Sequence, residues 1–385
     1  MHRRQAPLGR DGRGARRTAA PRRRGGARPA PRPGARVSLP TGPLPVTGAV
    51  PLRTAPSDAP AVVALGGGHG LSASLSALRH LTDRLTAVVT VADDGGSSGR
   101  LRRELGVLPP GDLRMALSAL CDDSEWGRTW RDVLQHRFDS TGGLHQHATG
   151  NLLIATLWEL LGDEVSGLDW VARLLGARGR VLPMAAVPLD IEADVVGLVP
   201  GNATAVTAVR GQVAVASTTG RVSAVRLVPP DPPVPPEVVH AVRTADWVVL
   251  GPGSWFTSVL PHLMVPALSQ ALCATGARVC VTLNLAVQPG ETDGFSAEAH
   301  LEVLAAHAPG LRVDAVVADP VAVADPAALA AAAARLGAEL VLRPVSIGDG
   351  TARHDALRLA AAYRDVFAGP AVPGGAAGVA PWGRP

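Results

Sequence analysis

Two glycine-rich turns carry the clearest chemical signal in the sequence. Gly66-Gly67-Gly68-His69-Gly70 and Gly251-Pro252-Gly253-Ser254 each follow a short apolar run and each opens a helical stretch. Glycine lets backbone N–H groups approach a phosphate closely, and a helix start favours negative charge. The first turn is not the dinucleotide fingerprint, because Leu71 stands where Gly or Ala would be needed. It is not a Walker A loop either, because no Lys-Ser/Thr follows. Taken alone, its plainer alternative is a tight strand–helix connection with no ligand. The second turn adds hydroxyls from Ser254, Thr257 and Ser258.

A third polar cluster, Asp93-Asp94-Gly95-Gly96-Ser97-Ser98-Gly99-Arg100, ends another apolar run. Asp93 falls 25 positions after Gly68, near the place where an acid grips a ribose in doubly wound folds. Adjacent carboxylates at a strand end are costly unless they bind a sugar, a metal or a helix N-terminus. Ser97 and Ser98 could cap the next helix, and Arg100 could meet a phosphate; an elaborate helix cap is the plainer alternative. Asp112 is placed as an N-cap for a helix over 113–120. His147 and Asn151, at the start of an apolar helix over 151–161, read as hydrogen-bonding groups at a pocket. His145-x-His147 lacks a third metal ligand, so no metal site is assigned. Asn284, Gln288, Glu291 and Thr292 follow a later strand in a polar, turn-prone stretch. No nucleophile with a paired base emerges, so no catalytic residue is assigned.

These groups need a frame that gathers strand ends on one edge. Continuous apolar runs at 61–65, 86–91, 247–250, 278–283, 313–317 and 339–342 have the character of doubly buried parallel strands, with helices between them. The fold class expected is α/β: a Rossmann-like open, mostly parallel sheet with helices on both faces. In such sheets ligands bind outside the carboxyl ends of the strands, at a switch point. The stretch 181–228, with pairs such as Val213–Val215 and Val222–Val225, reads as a small β-rich insertion. The main domain is expected over 59–367.

The 385 residues include 34 Pro and 43 Gly, and every one of the 37 basic residues is Arg. Without Lys, neither a Schiff-base lysine nor a P-loop lysine exists. Residues 1–58 hold thirteen Arg against Asp11 and Asp58, a charge of +11, while the remainder holds 24 Arg against 31 acids, a charge of −7. The overall +4 therefore belongs to the N-terminal stretch, which reads as a disordered tail, as does 368–385. The mildly acidic remainder carries no specific nucleic-acid footprint. Cys121, Cys273 and Cys280 form no disulfide pattern, and no apolar run is long enough to span a bilayer. A cytoplasmic location is expected.

In this order the motifs resemble the YvcK family of gluconeogenesis factors, within the CofD-like superfamily. The matching residues are Gly66 to Leu71, Val91 to Leu101, Leu108 to Arg114, Gly150 to Leu153, Arg178 to Pro183, Leu250 to Ser254 with Thr257-Ser258, and Gln288 to Thr292. Departures from the family pattern stand at Met115, at Gln146-His147-Ala148, at Trp255-Phe256, and at Ala331 to Ala334 where a Tyr is usual. The resemblance implies a CofD-like fold and binding of a UDP-sugar, chiefly UDP-N-acetylglucosamine. It also implies a regulatory role linking gluconeogenic growth to cell-wall precursor supply and cell shape, through a protein partner and as a homo-oligomer. The CofD branch instead implies a 2-phospho-L-lactate transferase using a nucleotide-activated donor, with Mg2+ or acceptor near the paired Asp. Carried onto this chain, the ligand-binding set is Gly66 to Gly70, Asp93, Asp94, Ser97, Ser98, Arg100, Asp112, His147, Asn151, Gly251, Gly253, Ser254, Thr257, Ser258, Asn284, Gln288, Glu291 and Thr292.

Overall fold

The structure is a computed structural model and describes residues 59–288, 291–292 and 294–369. The two tails expected to be disordered lie almost wholly outside the described residues. In chain order the elements begin with β1 (Val62–Gly66), α1 (Gly68–Leu78), β2 (Leu85–Val89), α2 (Gly96–Leu105), α3 (Pro110–Leu120), α4 (Glu125–Gln135), α5 (Thr149–Leu161), α6 (Glu164–Leu175) and β3 (Arg180–Pro183). There follow β4 (Asp190–Val196), β5 (Val206–Arg210), α7 (Gln212–Ala216), β6 (Arg221–Val228), α8 (Pro236–Thr244) and β7 (Trp247–Leu250). The chain continues through α9 (Pro261–Met264), α10 (Pro266–Ala274), β8 (Arg278–Thr282), α11 (Ala297–His307), β9 (Ala315–Ala318), α12 (Pro326–Arg335), β10 (Glu339–Leu342) and α13 (Ala356–Ala368).

Seven strands form one sheet in the order β10-β9-β8-β7-β1-β2-β3, with every neighbouring pair parallel. β1, β7 and β9 are buried along their whole length, which explains why they read as unbroken apolar runs instead of alternating ones. The chain moves outward from β1 to β3 and then, after crossing back, from β7 to β10. Crossovers that run both ways from the middle place helices on both faces. Consistent with this, α1 packs against α3 and α13, and α8 against α10. The direction reverses between β1 and β7, so the two glycine turns sit side by side at the switch point.

The insertion begins later than the sequence suggests. Arg180–Pro183 pairs in parallel with β2 and is the edge strand of the main sheet, whereas the separate antiparallel sheet, ordered β5-β4-β6, starts at Asp190. An edge strand of four residues, Arg-Val-Leu-Pro, is too short to carry a pattern of its own, and its parallel partner is what sets it apart from the insertion. Val213 and Val215 likewise lie on the short helix α7, with Val215 turned into the core and Val213 exposed.

Candidate functional site

At the switch point the two turns touch. A Cβ on Gly70 would lie 2.2 Å from Pro252 O, and one on Gly67 would lie 2.4 Å from Thr90 Oγ1 and 2.6 Å from Asp112 Oδ2. The absence of a side chain at these positions is thus required by the contact of protein with protein. Gly66 closes β1, Gly68 begins α1, and His69 is exposed on its first turn. Asn284, two residues beyond β8, clamps Gly253 with two bonds. Gly253 N–H donates to its Oδ1 at 2.9 Å, and its Nδ2 donates to Gly253 O at 2.8 Å. Asn284 therefore positions the turn.

Carboxylates satisfy the amides at the helix starts, including the Asp93-Asp94 pair, for which a helix N-terminus was one of the expected partners. Gly95 N–H, at the start of α2, donates to Asp93 Oδ1 at 2.9 Å. Gly68 N–H and Thr90 Oγ1 donate to Asp112, the latter at 3.2 Å. Phe256 and Thr257 N–H donate to Glu291 Oε1 at 2.7 and 2.9 Å, while Ser254 Oγ donates to Glu291 Oε2. Val213 N–H donates to Asp94 Oδ1 at 3.0 Å, which joins α2 to the insertion. Desolvation raises the pKa of Asp93 and Glu291. For Asp112 desolvation, and then the charge of Asp93, push it up to about 6.

Several expected roles change. Asp112 is not the cap of α3: Pro109 is, and Asp112 lies in the first turn. Ser97 and Ser98 lie inside α2, whose cap residue is Gly95. Arg100 donates to Gly143 O at 3.2 Å and His145 O at 2.6 Å, holding the loop before α5. Ser98 Oγ accepts from Gly111 N–H at 2.7 Å. Ser97 Oγ meets His147 Nδ1 and accepts from Asn151 Nδ2, each at 3.0 Å, so His147 and Asn151 brace α2 against α5. Thr292 Oγ1 accepts from Gln288 N–H at 2.9 Å and closes its own loop. Acids and hydroxyls can satisfy backbone N–H groups locally, and spacing alone does not say which they choose.

Two contributors lie outside the set of residues expected from the sequence. Arg114, only 3% exposed, donates from Nε to Asn151 Oδ1 at 2.9 Å and from Nη1 to Gln135 Oε1. Desolvation is the largest influence on it and lowers its pKa to about 10, against the favourable charges of Asp112 and Asp93. An Arg inside the mostly apolar stretch Leu113–Leu120 of α3 was the available signal. The second is α7. Gln212, Val213 and Ala216 form one wall of a cavity of about 470 Å3, with Ser254, Thr257, Ser258, Gln288 and Glu291 opposite. Hydroxyls, amides and a carboxylate facing a cleft outside the strand ends suit a polyhydroxylated ligand. Among the described residues no group of three or more His, Cys, Asp or Glu is arranged to hold a metal ion. Nor is any helix among them long and apolar enough to cross a membrane.

Sheet order and paired glycine turns define a doubly wound α/β protein, and the family model described as 2-phospho-L-lactate transferase CofD matches its residues 62–342. A Mycobacterium leprae protein carrying the gluconeogenesis factor name is 54% identical over 321 residues, spanning 82% of this chain and 88% of its own length. The gluconeogenesis factor of Halalkalibacterium halodurans is 40% identical over 246 residues, 64% of this chain and 73% of that one. A crystal structure of a UPF0052 family protein from Bacillus halodurans superposes with a TM-score of 0.70 at 34% identity, covering 79% of this chain and 98% of that chain. The chain belongs to the gluconeogenesis factor family.

Proposed function

We propose that the protein is a regulatory factor that binds a nucleotide sugar, UDP-N-acetylglucosamine, in the switch-point cleft. It would thereby link growth on gluconeogenic carbon to cell-wall precursor supply and cell shape through a protein partner. The observation that carries this reading is the cavity between α7 and the turn after β7, bordered by Ser254, Thr257, Ser258 and Gln288. Hydroxyls and amides there can exchange hydrogen bonds with sugar and ribose hydroxyls. Glu291 already holds the amides of Phe256 and Thr257, so an incoming phosphate must share or displace it. The Ser97–His147 contact is buried and spent on bracing α2 and α5. That favours binding over covalent catalysis.

A second reading, a 2-phospho-L-lactate transferase, is favoured by the matching CofD model and by the Asp93–Asp112 pair, whose charges interact. Such a transfer needs no protein nucleophile, only positioning and charge stabilisation. Thermal shift separates the two. The regulatory reading expects stabilisation by UDP-N-acetylglucosamine and none by a deazaflavin with a guanosine nucleotide. The reverse pattern establishes the transferase reading in its place.

A further inference from the structure

The C-terminal helix sends one polar group into the core. The Tyr363 ring is fully buried, and its hydroxyl lies 2.9 Å from Ser74 Oγ on α1 and 2.9 Å from Thr282 Oγ1 at the end of β8. Ser74 Oγ donates to Gly251 O at 2.8 Å. Ser74, Thr282 and Gly251 are buried as well. Proton counting fixes every direction in this chain. Ser74 has one hydroxyl proton and spends it on Gly251 O, so its oxygen accepts from Tyr363. The Tyr363 proton is thereby spent, so its oxygen accepts from Thr282. Three hydroxyls supply three bonds running one way, and each polarises the next. The chain ends on the carbonyl where the polypeptide leaves β7, one residue before the Pro252 backbone that lies against Gly70. A phenylalanine would fill the same space beside Phe367, which stacks on the ring at 6.1 Å, so packing alone does not call for the hydroxyl.

Taking this turn as part of the ligand cleft, we propose that Tyr363, the only tyrosine of the chain, is a positioning residue. It holds the Gly251–Ser254 turn through Ser74, from a helix that touches no part of the cavity. α1, which carries Ser74, also begins at the first glycine turn, so one relay ties both turns to α13.

Amide hydrogen exchange on the ligand-free protein tests this. The reporters are Gly253 N–H, bonded to Asn284 Oδ1, and Ser258 N–H, bonded to Ser254 O at 2.8 Å. Tyr363→Phe should speed exchange at both by roughly tenfold while the amides of β2 and α6 keep the parent's rates. Ser74→Ala should do more, since Gly251 O loses its donor. Thr282→Val should do least, because Tyr363 still donates to Ser74. If Ser74→Ala does not fold, the ranking of Tyr363→Phe above Thr282→Val decides. In a parallel titration with UDP-N-acetylglucosamine, Tyr363→Phe should weaken binding severalfold. A parent that does not bind that ligand sinks the functional reading, and exchange still judges the relay. Unchanged exchange at Gly253 and Ser258, or an increase confined to α13 or spread evenly over the sheet, overturns the assignment.

Discussion

The two glycine turns lie side by side on one sheet edge, but their surroundings differ. Around Gly66–Gly70 the polar groups are spent on one another: Thr90 and Gly68 on Asp112, Arg114 on Asn151, Ser97 on His147 and Asn151. Around Gly251–Ser254 the hydroxyls of Ser254, Thr257 and Ser258 border an open cavity whose far wall is α7. Both helix starts carry a protein carboxylate, Asp112 on one and Glu291 on the other. A glycine turn leading into a helix is thus not in itself a phosphate site. What packs against it decides whether it is a structural joint or a binding wall.

The contrast can be broken most forcefully at the contact between the turns. Gly70→Val would drive a side chain into the backbone at Pro252, which has no rotamer to yield. It should lower unfolding stability by about 4 kcal/mol, or prevent folding, as read by urea denaturation. Arg114→Leu attacks the closed side alone. It leaves Asp93 and Asp112 without their buried cation and should cost about 3 kcal/mol in the same assay.

Asp112 gives a pH signature to that side. Its folded-state pKa stands above the unfolded one, so the native protein holds this proton more tightly than the unfolded chain does. Its stabilising contribution is fully present below about pH 4 and is lost as pH rises through about 6. Asp112→Asn should flatten the stability profile across that window by about 3 kcal/mol. An unchanged slope would show that Asp112 does not hold the proton.

On the open side the effects should be smaller and local. Asp94→Ala removes the acceptor for Val213 N–H and frees the start of α7. Exchange in residues 212–216 should rise by roughly fivefold, equivalent to about 1 kcal/mol, with the main sheet unaffected. Because α7 walls the cavity, UDP-N-acetylglucosamine affinity should fall with it.

The sheet was legible in the sequence because its strands are buried on both faces and interrupted by glycine turns; 61–65 and 247–250 are cases where almost no polar residue breaks the run. The insertion boundary was not, because Arg180–Pro183 is only four residues long and its parallel partner β2 lies far back in the chain. Within the site, the residues around the turns were legible by type but not by role. Asn284 and Arg100 have the chemistry to hold a ligand, yet hold backbone. Asp94 reaches across 119 positions to the insertion, a partner that no local pattern announces. Tyr363 was missed for the same reason, since its bonds to Ser74 and Thr282 span 289 and 81 positions.

The measurement that bears most directly on the ligand cleft is calorimetric titration of UDP-N-acetylglucosamine into the parent and into Ser254→Ala. Ser254 Oγ borders the cavity and bonds Glu291, so its loss removes one hydrogen bond at the proposed contact without touching the closed side. The expected result is saturable binding to the parent and about fivefold weaker binding to the variant, near 1 kcal/mol. Saturable binding of equal strength to both proteins, or none to the parent, would contradict the placement of the ligand at the turn after β7.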